Sequence, residues 1–197
     1  MKKLKIAGFV FGLLLVASNI NAATKKEYEI KIKINGLKNA TCLLGNYYAD
    51  GKQYIQDSAK VDAKGSFAFS GKEKLEGGIY LIVLPNKKYF EIIIPSDKEQ
   101  TFSLETDTAD FVKNMKVTGS QENQLFYNYL QFIANKQKED ETLRKQLAVS
   151  KTKKDSSDVQ AKLDAIRDAV KNQKVAFMKD HSGTFVAKVF KYSSNGL

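Results

Sequence analysis

The chain has 197 residues, 43% hydrophobic and 27% charged, with a formal net charge of +10 and a sequence isoelectric point of 9.4. One histidine and one cysteine exclude a soft-ligand metal centre, a Cys-x-x-Cys pair and an internal disulfide. The carboxylates lack the dense loop spacing of a calcium site.

The first five residues include Lys2, Lys3 and Lys5, Ile6 to Ala17 is almost wholly apolar, and Ala22 and Ala23 are small residues suited to cleavage. These are the three parts of a secretory signal peptide over residues 1–22, so the mature protein is expected in a periplasmic or otherwise extracytoplasmic space. The apolar run falls short of the ~20 residues of a membrane span, which leaves an uncleaved anchor as the lesser reading. No later stretch is apolar enough for a second span, and no cysteine stands at the cleavage point to take a lipid.

Export changes the meaning of the charge. Without Lys2, Lys3 and Lys5 the balance is +7; residues 24–120 carry 15 basic and 13 acidic residues, and residues 121–197 carry 14 and 9. Nucleic acid, the usual partner of a basic chain, is removed by the compartment. The excess lysines, mostly in the second half, either keep a face solvated or attract the chain to anionic lipid or glycan surfaces.

From Glu27 the chain alternates: Tyr28, Ile30, Ile32 and Ile34 share one face, and Glu27, Glu29, Lys31 and Lys33 the other, the period-two pattern of a half-buried strand. Asn35-Gly36 is expected to turn it into a second strand near Thr41 to Tyr48, and Asp50-Gly51 into a third over Tyr54 to Val61, all paired antiparallel. Cys42 in the second strand reads as a small buried hydrophobe or as the donor of an intermolecular disulfide. Of Tyr47-Tyr48, at most one ring can be an exposed ligand platform.

The strongest strand and turn signals run from Val61 to Pro95. Asp62 caps a turn that Gly65 closes in the left-handed region, returning the chain into Phe67 and Phe69. Ile79 to Leu84 is a fifth strand and Tyr89 to Ile94 a sixth; Ile79 to Leu84 and Phe90 to Ile94 are nearly continuous in apolar residues and read as central strands, ended by Pro85 and Pro95. Phe102 and Leu104 mark a seventh strand and Val112 to Val117 an eighth. The spacing predicts a β-sandwich or barrel of about 7–8 strands over residues 24–118.

At Thr118-Gly119-Ser120 the period changes. Ser120 is an N-cap with Glu122 in the first turn. Leu125, Phe126, Tyr129, Phe132 and Ile133 then recur at helical spacing, with Leu143 and Leu147 extending the helix. Lys151 to Ser157 reads as the break. Val159, Leu163, Ile166, Val170 and Phe177 form a second apolar seam, so residues 119–192 are expected to be a helical hairpin. His181-Ser182-Gly183 ends it, and Phe185, Val186, Val189 and Phe190 predict one more short helix before a tail, residues 193–197, at which the sequence looks unfinished.

Four segments together carry a resemblance: Asp62-Ala63-Lys64-Gly65-Ser66-Phe67-Ala68-Phe69, Gly77-Gly78-Ile79-Tyr80, Phe90-Glu91-Ile92-Ile93-Ile94 and Val117-Thr118-Gly119-Ser120-Gln121-Glu122-Asn123. In this order, followed by helices, the chain from Glu27 to Phe190 resembles an uncharacterised N-terminal domain of Gram-negative envelope proteins. There it precedes a thioredoxin-like module of the thiol-disulfide interchange or peroxiredoxin type. The Asp-x-x-Gly-x-Phe turn also occurs in transthyretin-like sandwiches. The resemblance implies an α+β fold, an antiparallel sandwich followed by a helical hairpin, and an accessory role beside a fused or partner thioredoxin-like protein. The redox chemistry of that family belongs to the module, which this sequence lacks, so no catalytic, cofactor-binding or metal residue carries over.

Three classes of function follow. The first is a non-catalytic accessory or interaction domain, and the second an independent envelope binder of a glycan, lipid surface or protein. A self-contained enzyme comes last, because the sequence has no Ser-His arrangement, phosphate loop or paired carboxylates.

Overall fold

The computed structural model describes residues 26–47 and 53–194, and the side chains of 26–46 and 54–192. The expected signal peptide, the Asp50-Gly51 turn, the Tyr47-Tyr48 rings and the tail from 195 lie outside the described residues.

Eight strands and three helices follow in chain order: β1 (Tyr28–Asn35), β2 (Thr41–Tyr47), β3 (Gln53–Lys60), β4 (Ser66–Gly71), β5 (Gly78–Val83), β6 (Tyr89–Ile94), β7 (Gln100–Asp107), β8 (Lys116–Thr118), α1 (Gln121–Val149), α2 (Lys153–Asp180) and α3 (Phe185–Ser194). The fold is mixed α+β, with two four-stranded sheets ordered β4-β1-β7-β8 and β3-β2-β5-β6. Ile30, Ile32, Ile34, Phe69, Phe102 and Leu104 of the first sheet and Cys42, Leu44, Tyr80, Ile82, Ile92 and Ile94 of the second are buried in one shared core.

Of the expected successive antiparallel hairpins, β2 and β3 do pair antiparallel, with Thr41 opposite Lys60, and the pairing of the first two strands is corrected. β1 does not pair with β2; it lies between β4, antiparallel, and β7, parallel with Ile30 opposite Phe102 and Ile32 opposite Leu104. Gly36 does turn the chain with φ 87°. The segment then crosses to the other sheet, where Asn39 N–H donates to the Asp62 carbonyl (3.2 Å) and Ala40 accepts from Val61 (2.8 Å). Two strands that both alternate buried and exposed residues can lie side by side or face each other across a core. Periodicity is the same in both cases.

The turn into β4 forms as its residues dictate. One Asp62 carboxylate oxygen accepts the N–H groups of Lys64 (2.7 Å) and Ser66 (2.8 Å), and Gly65 has φ 85°. Those bonds hold the carboxyl below its usual range. The eighth strand is shorter than predicted, because Asp107 and Asp110 wind the chain first. Asp107 accepts from Ala109 and Asp110, and Asp110 from Val112 and Lys113, so only Lys116 to Thr118 reach β7.

Ser120 caps α1, its hydroxyl accepting from Asn123 N–H at 3.3 Å. The break between α1 and α2 is narrower than Lys151 to Ser157. Thr152 caps α2 by accepting from Asp155 N–H (3.0 Å), and the Asp155 carboxylate sits where the helix dipole favours it. Lys153 to Ser157 are therefore helical. α2 returns along α1: Leu163 and Ile166 pack with Leu143, whereas Phe177 packs on Tyr129 near the other end of α1.

Candidate interaction surface

The side chains with reactive chemistry are tied into the frame. Cys42 is fully buried, and burial pushes its thiol up to about 11. Burial, with Asp57 beside it, pushes the Tyr28 phenol up to about 12. The His181 ring packs edge-on against Phe177 at 4.9 Å. Among the described residues no group of three or more His, Cys, Asp or Glu side chains is placed to hold a metal ion.

The motif Ser120-Gln121-Glu122-Asn123 is a joint. β6 is one of the two edge strands of its sheet, and an edge leaves backbone groups unpaired. Asn123, wholly buried, accepts from Ile93 N–H (2.8 Å) and donates to the Ile93 carbonyl (2.7 Å), taking the place of a neighbouring strand. One turn on, Tyr127 donates to the Glu91 carbonyl at 2.6 Å. Glu122, also buried, accepts the N–H groups of Phe185 (3.0 Å) and Val186 (3.2 Å), the first turn of α3, with the Lys98 ammonium 3.9 Å away. Sequence reasoning placed Glu122 in its own helix dipole only. Its partner lies more than sixty residues away, and no local pattern signals that.

The bonds of Glu122 set the course of α3. Phe185 begins beside Glu122, and the Phe190 ring meets Tyr129 at 4.6 Å and Phe177 at 5.1 Å. α3 therefore advances in the same direction as α1, in the valley between α1 and α2. Beyond Tyr129 and Phe177 that valley is left open by the described residues as a groove of about 810 Å³. Ile133 of α1 and Ile166 and Val170 of α2 make its floor; Lys136 stands on one wall and Lys171 and Lys174 on the other, while Asp140 and Glu141 of α1 and Arg167 of α2 line the part farther from α3.

The charges around the groove divide into paired and unpaired. Lys136 is 2.8 Å from Glu139, Arg144 is 2.5 Å from Asp140, and Arg167 contacts Asp164. Lys171 and Lys174 enter no ion pair among the described residues. A second hollow, about 630 Å³, lies on the outer face of the first sheet among Lys31, Lys33, Glu105 and Lys116. Its charges largely compensate each other: Lys33 is 3.2 Å from Glu105 and Lys31 is 3.0 Å from Glu29. Asn35 and Lys33 hold the Glu105 carboxyl below its usual range.

Among the described residues no helix is long and apolar enough to cross a membrane. No curated protein matches the chain. The family model described as Domain of unknown function (DUF4369) matches residues 28–126, from the start of β1 through the joint at Glu122 and Asn123 to Phe126. That span is half of the chain, and the chain belongs to this family of uncharacterised domains.

Proposed function

We propose that this protein is a non-catalytic interaction domain of the cell envelope, exported to the periplasm, that serves a thioredoxin-like module as a fused or separate partner. The two sheets read as a sandwich, and α1 and α2 as an antiparallel hairpin that projects from it. The observation that carries the reading is the division of labour among side chains: Cys42, Tyr127, Glu122 and Asn123 are buried and engaged in the frame, while the open, chemically distinct surface lies along the helical pair. The same resemblance in Val117 to Asn123 that suggested the family also connects it to envelope redox proteins.

The test places a photo-crosslinking residue at Lys171 on the helical pair and, separately, at Lys31 on the first sheet, in cells that export the protein. Crosslinking through Lys171 to a protein with a Cys-x-x-Cys module is the expected outcome. A partner reached through Lys31 alone, with a glycan or lipid adduct, would favour the second reading, an independent envelope binder. Disulfide-reductase turnover by the purified protein, lost in Cys42→Ala, would defeat both.

A further inference from the structure

The groove beyond α3 joins an apolar floor to walls that are basic near α3 and of mixed charge farther out. α3 starts level with Glu122 and has ten residues, so at 1.5 Å per residue it ends level with about residue 132 of α1. The open groove begins at Ile133. On α1 the residues Tyr129, Ile133, Lys136 and Asp140 recur at steps of four, three and four, and on α2 Phe177, Lys174, Val170 and Arg167 recur at steps of three, four and three. The face that receives Phe190 thus continues outward on both helices for ~12 Å, or about two helical turns. Along that length Ile133 and Val170 are half-buried, and at its outer end Leu143, Leu163 and Ile166 of α1 and α2 are buried against each other with Leu147 and Val159.

The walls are basic in the half nearest α3. Lys174 is half-buried over the apolar floor with no carboxylate paired to it, Lys171 is exposed beside it, and Lys136 faces them. Lys136, Arg167, Lys171 and Lys174 outnumber Asp140 and Glu141 in the lining, and residues 121–197 carry 14 basic and 9 acidic residues, so a second copy of this chain brings a like net charge to the groove.

We infer that this groove is the docking site for an acidic amphipathic helix of a partner protein, which continues the line of α3 and completes a three-helix layer. The partner's apolar residues at i, i+3 or i+4, and i+7 cover Ile133, Ile166 and Val170, and its flanking carboxylates meet Lys171 and Lys174. The inference rests on the interaction-domain reading and names its surface and its partner's chemistry.

The probe is a fluorescent synthetic peptide of about two heptads with leucines on one helical face and glutamates on the other. Its controls are a lysine counterpart and a scrambled glutamate peptide, each titrated into the mature protein by anisotropy at low and high salt. The amphipathic acidic peptide binds, and raised salt weakens it. Lys171→Glu/Lys174→Glu lowers its affinity at least about tenfold with helicity unchanged by circular dichroism, whereas Lys31→Glu/Lys33→Glu does not. Equal binding of the lysine or scrambled peptide, no binding, or an undiminished affinity in Lys171→Glu/Lys174→Glu overturns the inference. So does a dimer of the protein alone that the same double substitution dissolves. If the peptide fails while crosslinking through Lys171 still reaches a Cys-x-x-Cys protein, the groove assignment falls and the interaction-domain reading stands.

Discussion

Asn123 is the residue on which the second sheet's free edge depends. Its side chain satisfies both backbone groups of Ile93, and each buried backbone group left without a partner costs about 1–3 kcal/mol. Asn123→Ala is expected to lose about 2–4 kcal/mol in denaturant unfolding; a loss below the scatter of surface substitutions would show that water replaces the amide. Cys42 gives a pH prediction. Its thiol stands at about 11 rather than 9.0 because burial penalises the thiolate, so the folded state holds the proton more tightly. That contribution is complete below 9.0 and is lost as pH rises toward 11, the range in which the unfolded chain ionises and the folded one does not. Melting temperature followed from about pH 8 to 11 should fall less steeply in Cys42→Ala than in the parent. The native thiol should also resist alkylation until the protein is unfolded. Gln100 shows the same economy: its buried amide accepts from Leu75 N–H and donates to the Leu75 and Pro95 carbonyls, fastening the loop before β5.

At the scale of elements, α3 is held by few and specific contacts. Glu122 accepts its first two N–H groups and Thr184 accepts from Ala187, while Val186 and Ala187 supply the buried side chains. Glu122→Ala strands those N–H groups and is expected to cost about 2 kcal/mol. Hydrogen exchange should rise over residues 185–191 and stay unchanged in β1 and β7. A uniform rise across both sheets would instead mean that α3 and the sheets unfold as one unit. The outer part of the helical pair is a second weakly supported element, because Leu143, Leu163 and Ile166, with Leu147 and Val159, are its own small cluster apart from the main core. Leu163→Ala should remove about 2–3 kcal/mol locally. Amides of residues 140–166 would then exchange faster while near-ultraviolet signals from the sheet tyrosines hold. Loss of those signals at the same denaturant concentration would place the cluster in the global unfolding unit.

For the whole molecule, the sheets form a scaffold in which the β6 edge at Ile93, the N-termini of the three helices and the turn into β4 are closed by the chain's own side chains. Among the described residues no buried side-chain nitrogen or oxygen lacks a hydrogen-bond partner, so the polar groups of the interior are satisfied by the chain itself. The export reading belongs to this scale too. Mass spectrometry of the envelope-fraction protein should give a chain beginning next to Ala22 or Ala23, and a chain that keeps Met1 in the membrane fraction would contradict it.

The positions of the strands were written in the sequence because each depends on neighbours: alternation in Tyr28 to Ile34, the Asp62 and Gly65 turn, and the prolines after β5 and β6. Ser120 and the seam from Leu163 to Phe177 were legible for the same reason, since caps and apolar stripes repeat over one or two turns. Sheet membership was decided only in three dimensions. β1 could place its buried face beside β2 or opposite it, and the parallel partner β7 lies some seventy residues away. The bonds of Asn123 to Ile93 and of Glu122 to α3 were equally illegible, because a polar residue early in a helix reads as solvent-facing until another element arrives to bury it. The groove follows from those same contacts: the sequence supplied the apolar residues and lysines, and the packing of α3 determined which of them remain uncovered.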